Sequence, residues 1–223
     1  YDNLMDRRSS RVIGFLGSDR ATAGMRLAEE KLPLERKLDL IMARLTVLSV
    51  FNVKYLISAY PLEHPQLTAV YRWEVTRHKI PLYLYENTGA QPRYYITNSV
   101  TFVPPADEDH EWSQFTSHVL GGKTSTLITC VSCSQRPSNS AQRSVALGTS
   151  RNQQYVFEVS LDEPSWFVFG QNFLPGWAAT LDGKPAVIHR ANFNLQAVAV
   201  PSGSHRIEFR FSPFLAWARR GAR

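Results

Sequence analysis

The stretch that most restricts what this chain can become runs from Trp166 to Pro213, WFVFGQNFLPGWAATLDGKPAVIHRANFNLQAVAVPSGSHRIEFRFSP. Its apolar runs are short and are interrupted at close intervals by turn chemistry. Asp182-Gly183 between two such runs predicts a hairpin, because a tight primed turn needs positive φ at its centre and this pair supplies it at little cost. Pro175-Gly176 and Pro201-Ser202-Gly203-Ser204 mark two more reversals. Beyond the last of these, Ile207, Phe209 and Phe211 alternate with Arg206, Glu208 and Arg210. A period of two puts one face of the strand in a core and the other in water. The segment is therefore antiparallel sheet with one buried side, as in a β-sandwich.

The remainder is less regular. Leu34, Leu38, Ile41, Leu45 and Leu48 recur at three- and four-residue steps, which predicts a helix from Leu34, with Pro33 and Glu35 suited to its first turn and an end near Asn52. Strands are expected over 53–58, 67–76, 82–86, 93–103 and 124–131, all rich in β-branched and aromatic residues. A short helix opens after Pro104-Pro105 at Ala106-Asp107-Glu108-Asp109 and stops at Gly121-Gly122. From Val145 the chain reads as strand throughout: 145–149, 154–161, 166–171, 177–181, 186–189, 195–200 and 205–211. The expected fold is α+β: an irregular segment 1–33, a small α+β domain 34–133, a polar linker or loop 134–144, a β-sandwich 145–213 of the jelly-roll or galactose-binding-like kind, and a tail 214–223.

Several landmarks together resemble a family. Gln171-Asn172, Pro175-Gly176-Trp177, Leu181-Asp182-Gly183-Lys184, Arg190-Ala191-Asn192-Phe193, Val200-Pro201, Gly203-Ser204-His205 and Phe209-Arg210-Phe211-Ser212-Pro213 are similar, in order and spacing, to the C-terminal soluble domain of YfhO-like bacterial membrane proteins. These are multi-spanning proteins of the GT-C glycosyltransferase type. Asn52-Val53-Lys54-Tyr55-Leu56-Ile57, Tyr85-Glu86-Asn87 and Pro92-Arg93 extend the resemblance upstream. Two positions depart from it: Gln171 stands where the family often has Glu, and Ala178 where Lys is common. The resemblance implies an extracytoplasmic accessory domain of a polyprenyl-phosphate-sugar-dependent glycosyltransferase at the cell membrane. Such a domain binds acceptor glycan or lipid-linked sugar, or braces the membrane portion of its parent. In GT-C enzymes the catalytic acidic residue lies in an early loop near the membrane, so no transfer chemistry is expected here. The start at Tyr1 rather than Met reads as a piece of a longer protein, and a transmembrane helix follows this domain in the family.

Composition narrows the alternatives. The 25 Lys and Arg against 19 Asp and Glu give a formal charge of +6. The cations are dispersed except at Arg7-Arg8-Arg11 and Arg219-Arg220-Arg223, a pattern that suits an anionic membrane surface or simple solvated ends, and not a nucleic-acid face. No run approaches the roughly twenty apolar residues of a membrane span, and no signal peptide is evident.

Sites are sparse. Asp107-Glu108-Asp109 has the D-x-D form by which many glycosyltransferases hold a metal and a sugar phosphate, yet acidic residues at a helix start also answer the helix dipole, and that reading is preferred. No nucleophile motif occurs, and the two facing carboxylates of a glycoside hydrolase cannot be picked out, which leaves hydrolysis the weakest reading. Cys130-Val131-Ser132-Cys133 lacks the second pair of ligands of a structural zinc site; a local disulfide and two ordinary thiols are both open. No cofactor, metal or catalytic residue is expected. The ligand-binding candidates are Trp177, whose ring could stack on a sugar, with Asn172, Asp182, Arg190 and Asn192 as hydrogen-bonding partners. Against this, Trp177 can plug the edge of the sandwich and Asp182 can simply make its turn; packing is the favoured reading of both. A free-standing carbohydrate- or protein-binding module is the rival to the accessory domain.

Overall fold

The computed structural model describes Arg8 and residues 34–75, 80–134, 143–151 and 153–213. The expected irregular segment 1–33, the tail 214–223, most of the linker and both arginine groups apart from Arg8 fall outside these ranges. The chain divides into two compact units. One comprises residues 1–92 and 116–122, the other 93–115 and 123–223.

From Leu34 the first unit runs through helix α1 (Leu34–Ala43) and, after a turn at Arg44, the short helix α2 (Leu45–Val50). The single helix expected here is thus broken in two at Arg44. Leu45, Val47, Leu48 and Ser49 of α2 are buried. The chain leaves the helix through Asn52, which adopts positive φ (61°), a conformation that Asn tolerates better than most residues. Strands β1 (Tyr55–Ser58), β2 (Leu67–Val75) and β3 (Ile80–Asn87) form an antiparallel sheet in the order β1-β3-β2. Buried Asn87 joins helix to sheet: its Nδ2 donates to Ser49 Oγ (3.0 Å) and to the Val53 carbonyl (2.9 Å).

The register of this small sheet sorts its side chains. Tyr55 pairs with Glu86 and Ile57 with Leu84, while Tyr71 and Trp73 pair with Leu84 and Leu82. Directly paired residues share a face, so Tyr55, Ile57, Tyr71, Trp73, Leu82, Leu84 and Glu86 lie on one side. Tyr71 and Ile57 are both 64% exposed and Tyr55 53%; the Tyr71 and Trp73 rings stack at 5.9 Å.

The second unit is built from two sheets. Strands β7 (Arg143–Arg151), β8 (Gln154–Leu161), β10 (Trp177–Leu181), β11 (Lys184–Ala186) and β14 (Gly203–Phe211) form a five-stranded antiparallel sheet in the order β11-β10-β14-β8-β7. Strands β4 (Tyr94–Thr97), β5 (Val100–Val103), β6 (Thr126–Thr129), β9 (Ser165–Phe169), β12 (His189–Ala191) and β13 (Leu195–Val200) form a six-stranded sheet in the order β4-β9-β13-β12-β6-β5. All its pairs are antiparallel except β5 with β6. One core contains Phe157, Val159 and Leu161 of β8, Ile207 and Phe209 of β14 and Ala179 of β10, with Phe167 and Phe169 of β9 and Val198 and Val200 of β13. Side chains from both sheets meet in it, so the unit is a β-sandwich. Helix α3 (Glu108–Leu120) carries three carboxylates in its first turn. Asp107 caps it, its Oδ1 accepting the His110 amide at 2.9 Å, and this contact draws the Asp107 carboxyl below its ordinary range. The D-x-D triplet is thus helix-start chemistry.

The alternation at Ile207 and Phe209 holds: both are fully buried, while Arg206 and Arg210 are exposed. The expected domain boundary does not. The β-sandwich begins at Tyr94, not Val145, because β4 pairs with β9, and β6 pairs with β12. Two further expectations change: 93–103 is two strands that join opposite sides of the six-stranded sheet, and 186–189 splits between β11 of one sheet and β12 of the other.

Candidate functional site

The hairpin at Asp182-Gly183 is as the sequence predicts. Leu181 pairs with Lys184, and Asp182 and Gly183 sit at φ 52° and 77°, a primed two-residue turn that matches the strand twist. A Cβ on Gly183 would meet nothing within 4 Å, so glycine is favoured there by φ alone. Asp182 anchors the turn to β14: its Oδ1 accepts the Arg206 amide at 2.8 Å and its Oδ2 lies 2.7 Å from His205 Nδ1. His205 Nε2 is 3.1 Å from the Ser202 carbonyl. Both partners of the ring are acceptors, so the arrangement favours the doubly protonated imidazolium. Asp182 accordingly raises the His205 pKa, and the Arg206 amide followed by His205 lowers that of Asp182.

Beside this hairpin lies an open groove of about 530 Å³ lined by Leu181, Asp182, Lys184, Pro185, Ala186, Val187, His189, Val198 and Ala199. Of the five sequence candidates only Asp182 reaches it. Trp177 begins β10, and Asp182 follows its other end, roughly 15 Å away along an extended strand. The Trp177 ring is half-buried, 5.3 Å from Phe211, 6.1 Å from Tyr155 and 6.4 Å from Phe169. It closes the end of the core. Arg190 forms an ion pair with Glu111 of α3, whose side chain is 4% exposed, and its guanidinium lies 5.5 Å from the Phe173 ring. Asn192 is buried: its Oδ1 accepts the Leu127 amide and its backbone amide donates to the Leu127 carbonyl, both at 2.9 Å. It thus continues the β12–β6 ladder through its side chain. Asn172 is exposed, and its carbonyl accepts from buried Gln196 Nε2 at 2.9 Å. Phe173, the residue after Asn172, thus brings that segment to Arg190, while Trp177 and Asp182 stand at opposite ends of β10.

A cluster that the sequence did not bring together forms at β6 and β12. In the antiparallel register Arg190 pairs with Thr129; one step further sets His189 opposite Cys130. Cys130 and Cys133 are joined as a disulfide with Cα atoms 5.7 Å apart. A ring nitrogen of His189 and the two sulfurs all lie within 4.8 Å of one another. The imidazole packs edge-on to Trp166 at 5.1 Å between ring centres. Burial pushes its pKa down, opposed by a hydrogen bond with the Thr129 backbone. His189 carries no signal in the sequence alone, since its partner sulfurs lie nearly sixty residues upstream and only the strand register joins them.

No protein family, no curated protein and no solved structure matches this chain. Among the described residues no helix is long and apolar enough to cross a membrane. The groove carries one carboxylate, one ammonium and one imidazole, and the three-stranded sheet exposes Tyr55, Ile57 and Tyr71.

Proposed function

We propose that this chain is an accessory domain of a polyprenyl-phosphate-sugar-dependent membrane glycosyltransferase, transferring no sugar itself and bracing the membrane portion of its parent on the extracytoplasmic side. The observation that carries this reading is the exposed face of the three-stranded sheet, where Tyr55, Ile57 and Tyr71 lie open beside Trp73, Leu82 and Leu84. Glu86 shares this face; exposed aromatic and aliphatic side chains gathered on one face are what protein partners cover, and aromatic rings are also favoured at the level of lipid headgroups. The Cys130–Cys133 disulfide suits an oxidising compartment. The resemblance to YfhO-like proteins supplies the parent class, and the sandwich is read with it as jelly-roll or galactose-binding-like.

A photo-crosslinking side chain at Tyr71 of the full-length parent, in its own membrane, should form adducts with the membrane-spanning part of the same polypeptide. A parent gene without membrane spans overturns the proposal, as does turnover of a lipid-linked sugar by this chain alone.

The groove favours a second reading, a carbohydrate-binding module. Asp182, Lys184 and His189 offer both donors and acceptors at its wall, the mixture that sugar hydroxyls require. Oligosaccharide titration should then shift the resonances of these residues in NMR spectra, with the weak affinity of a few net contacts, roughly micromolar to millimolar. Shifts centred on Trp177 would instead restore the stacking site expected from sequence.

A further inference from the structure

We propose that Cys130, Cys133 and His189 form a redox-gated metal site: a disulfide when oxidised and, when reduced, three ligands for one thiophilic divalent cation of the zinc type. Three observations converge on it. The first is proximity, with both sulfurs and an imidazole nitrogen within 4.8 Å of one another. A tetrahedral zinc centre with Zn–S near 2.3 Å and Zn–N near 2.0–2.1 Å needs donors roughly 3.5–3.8 Å apart, so small side-chain rotations suffice. The second is that two of the three ligands are anchored to the sheet. Cys130 directly follows β6 with its amide bonded to the Val103 carbonyl at 2.9 Å, and His189 begins β12, which pairs with β6. The backbone separation of Cys130 and His189 is thereby fixed before any ion arrives, and Cys133 follows on the loop three residues beyond Cys130. The third is orientation: the Thr129 backbone hydrogen-bonds the His189 ring and Trp166 packs against it, the kind of outer contact that holds a metal-bound imidazole in place.

The donor set selects the ion. Two thiolates and one imidazole are soft and borderline ligands that suit zinc and exclude calcium or magnesium, which take oxygen. Three protein ligands leave the fourth position of the tetrahedron open for water or a further group. His189 also lines the groove beside the β10–β11 hairpin, so the site stands at the edge of the concavity that can admit such a group.

The oxidised and reduced forms exclude each other. In the disulfide the sulfur electron pairs that would bind metal belong to atoms without thiolate charge. A dithiol or phosphine reductant must first supply two electrons. A dithiol leaves as its own disulfide and a phosphine as its oxide, with water providing the oxygen. Two thiols result, and the metal displaces their protons as it binds. Val131, between the two cysteines, is 81% exposed, so the loop is open to a reductant.

The test uses the whole chain without an affinity tag. It is reduced with a phosphine, freed of excess reagent under argon and titrated with zinc by calorimetry, then with cobalt(II) as a spectroscopic probe. One zinc per chain is expected, with the ligand-field absorption of tetrahedral, thiolate-bound cobalt. The air-oxidised protein should bind at least about a hundredfold more weakly, because two of three ligands are lost. Cys130→Ser combined with Cys133→Ser should behave like the oxidised form, and His189→Gln, which removes a ligand outright, should weaken zinc by at least the roughly 10- to 100-fold that loss of an outer-shell partner costs. Circular dichroism checks that each variant is folded. For any that is not, ¹⁵N spectra of the reduced wild type decide instead, since zinc must shift the His189 ring nitrogens. No uptake by the reduced chain, equal affinity of the oxidised chain, or zinc affinity and His189 resonances that ignore the histidine would each overturn the assignment.

Discussion

At the scale of single residues, the connections of Asp182 are internal. It holds the β10–β11 turn to β14 through the Arg206 amide and His205. The linkage has a definite sign. The His205 pKa is raised in the folded protein above the ordinary 6.5, so its stabilisation is complete below that value and is lost as pH rises through the folded pKa. Asp182 is lowered from 3.8, so its share is present above that value and is lost as pH falls through the lower folded pKa. The pair therefore supports the turn most between about pH 4 and pH 6.5. His189 opposes it: with a pKa lowered by burial, it costs stability as pH falls below its unfolded value. Comparison of wild type with His205→Gln cancels that background. The wild type should exceed the variant in melting temperature by more at about pH 5.5 than at about pH 8.5; equal differences at both would mean that the ion pair contributes nothing. The residue scale is also where sequence reading runs out soonest. Asp-Gly announces its turn because the need for positive φ is local. That Asn192 extends a ladder, or that Arg190 meets Glu111, depends on a backbone amide 65 positions away and a carboxylate 79 positions away, and no local pattern encodes it.

At the scale of elements, periodicity worked where one face is buried and the other wet. β8, β10 and β13 span the residues expected for them, and β14 shows the alternation that defines its faces. Phe209 is fully buried beside Phe157, Phe167 and Phe169, whereas Arg210 is exposed. Phe209→Ala should cost roughly 3–5 kcal/mol and Arg210→Ala less than about half a kcal/mol, as read from chemical denaturation. Similar losses for the two would mean that the strand's faces are reversed. Trp177 closes the core against Tyr155, Phe169 and Phe211 while keeping part of its ring in water, so Trp177→Ala should cost about 2 kcal/mol, less than full burial would give. A variant of unchanged stability that has lost glycan binding would return this ring to the role of a sugar platform. Periodicity failed where strands are short. β11 and β12 are three residues each, too few to show a period, and the break between them at 187–188 carries neither Gly nor Pro.

At the scale of the whole molecule, the sequence divides at its polar stretch near 134–144, and the folded chain divides elsewhere. The composition of that stretch marks a surface connection, which need not be a boundary between cores. Half of the six-stranded sheet comes from before it: β4 flanks β9, β6 flanks β12, and β5 lies beyond β6. Strand signals identified these segments, but partners chosen across sixty or more residues leave no trace in local pattern, which is why the sandwich seemed to begin at Val145. The two divisions make opposite predictions for truncation. A fragment of residues 145–213 keeps only β9, β13 and β12 of that sheet, opening both flanks and leaving unpaired the backbone groups of β9 that bond β4 and those of β12 that bond β6. Unpaired edges and a thinned core on that scale exceed the 5–15 kcal/mol by which a domain is ordinarily stable. A fragment of residues 93–223 retains every strand of both sheets. Thermal unfolding followed by circular dichroism should therefore be cooperative for 93–223 and absent or featureless for 145–213. Cooperative melting of the shorter fragment at the temperature of the longer one would show that β4, β5 and β6 are appended to the sandwich and are not part of its folding unit.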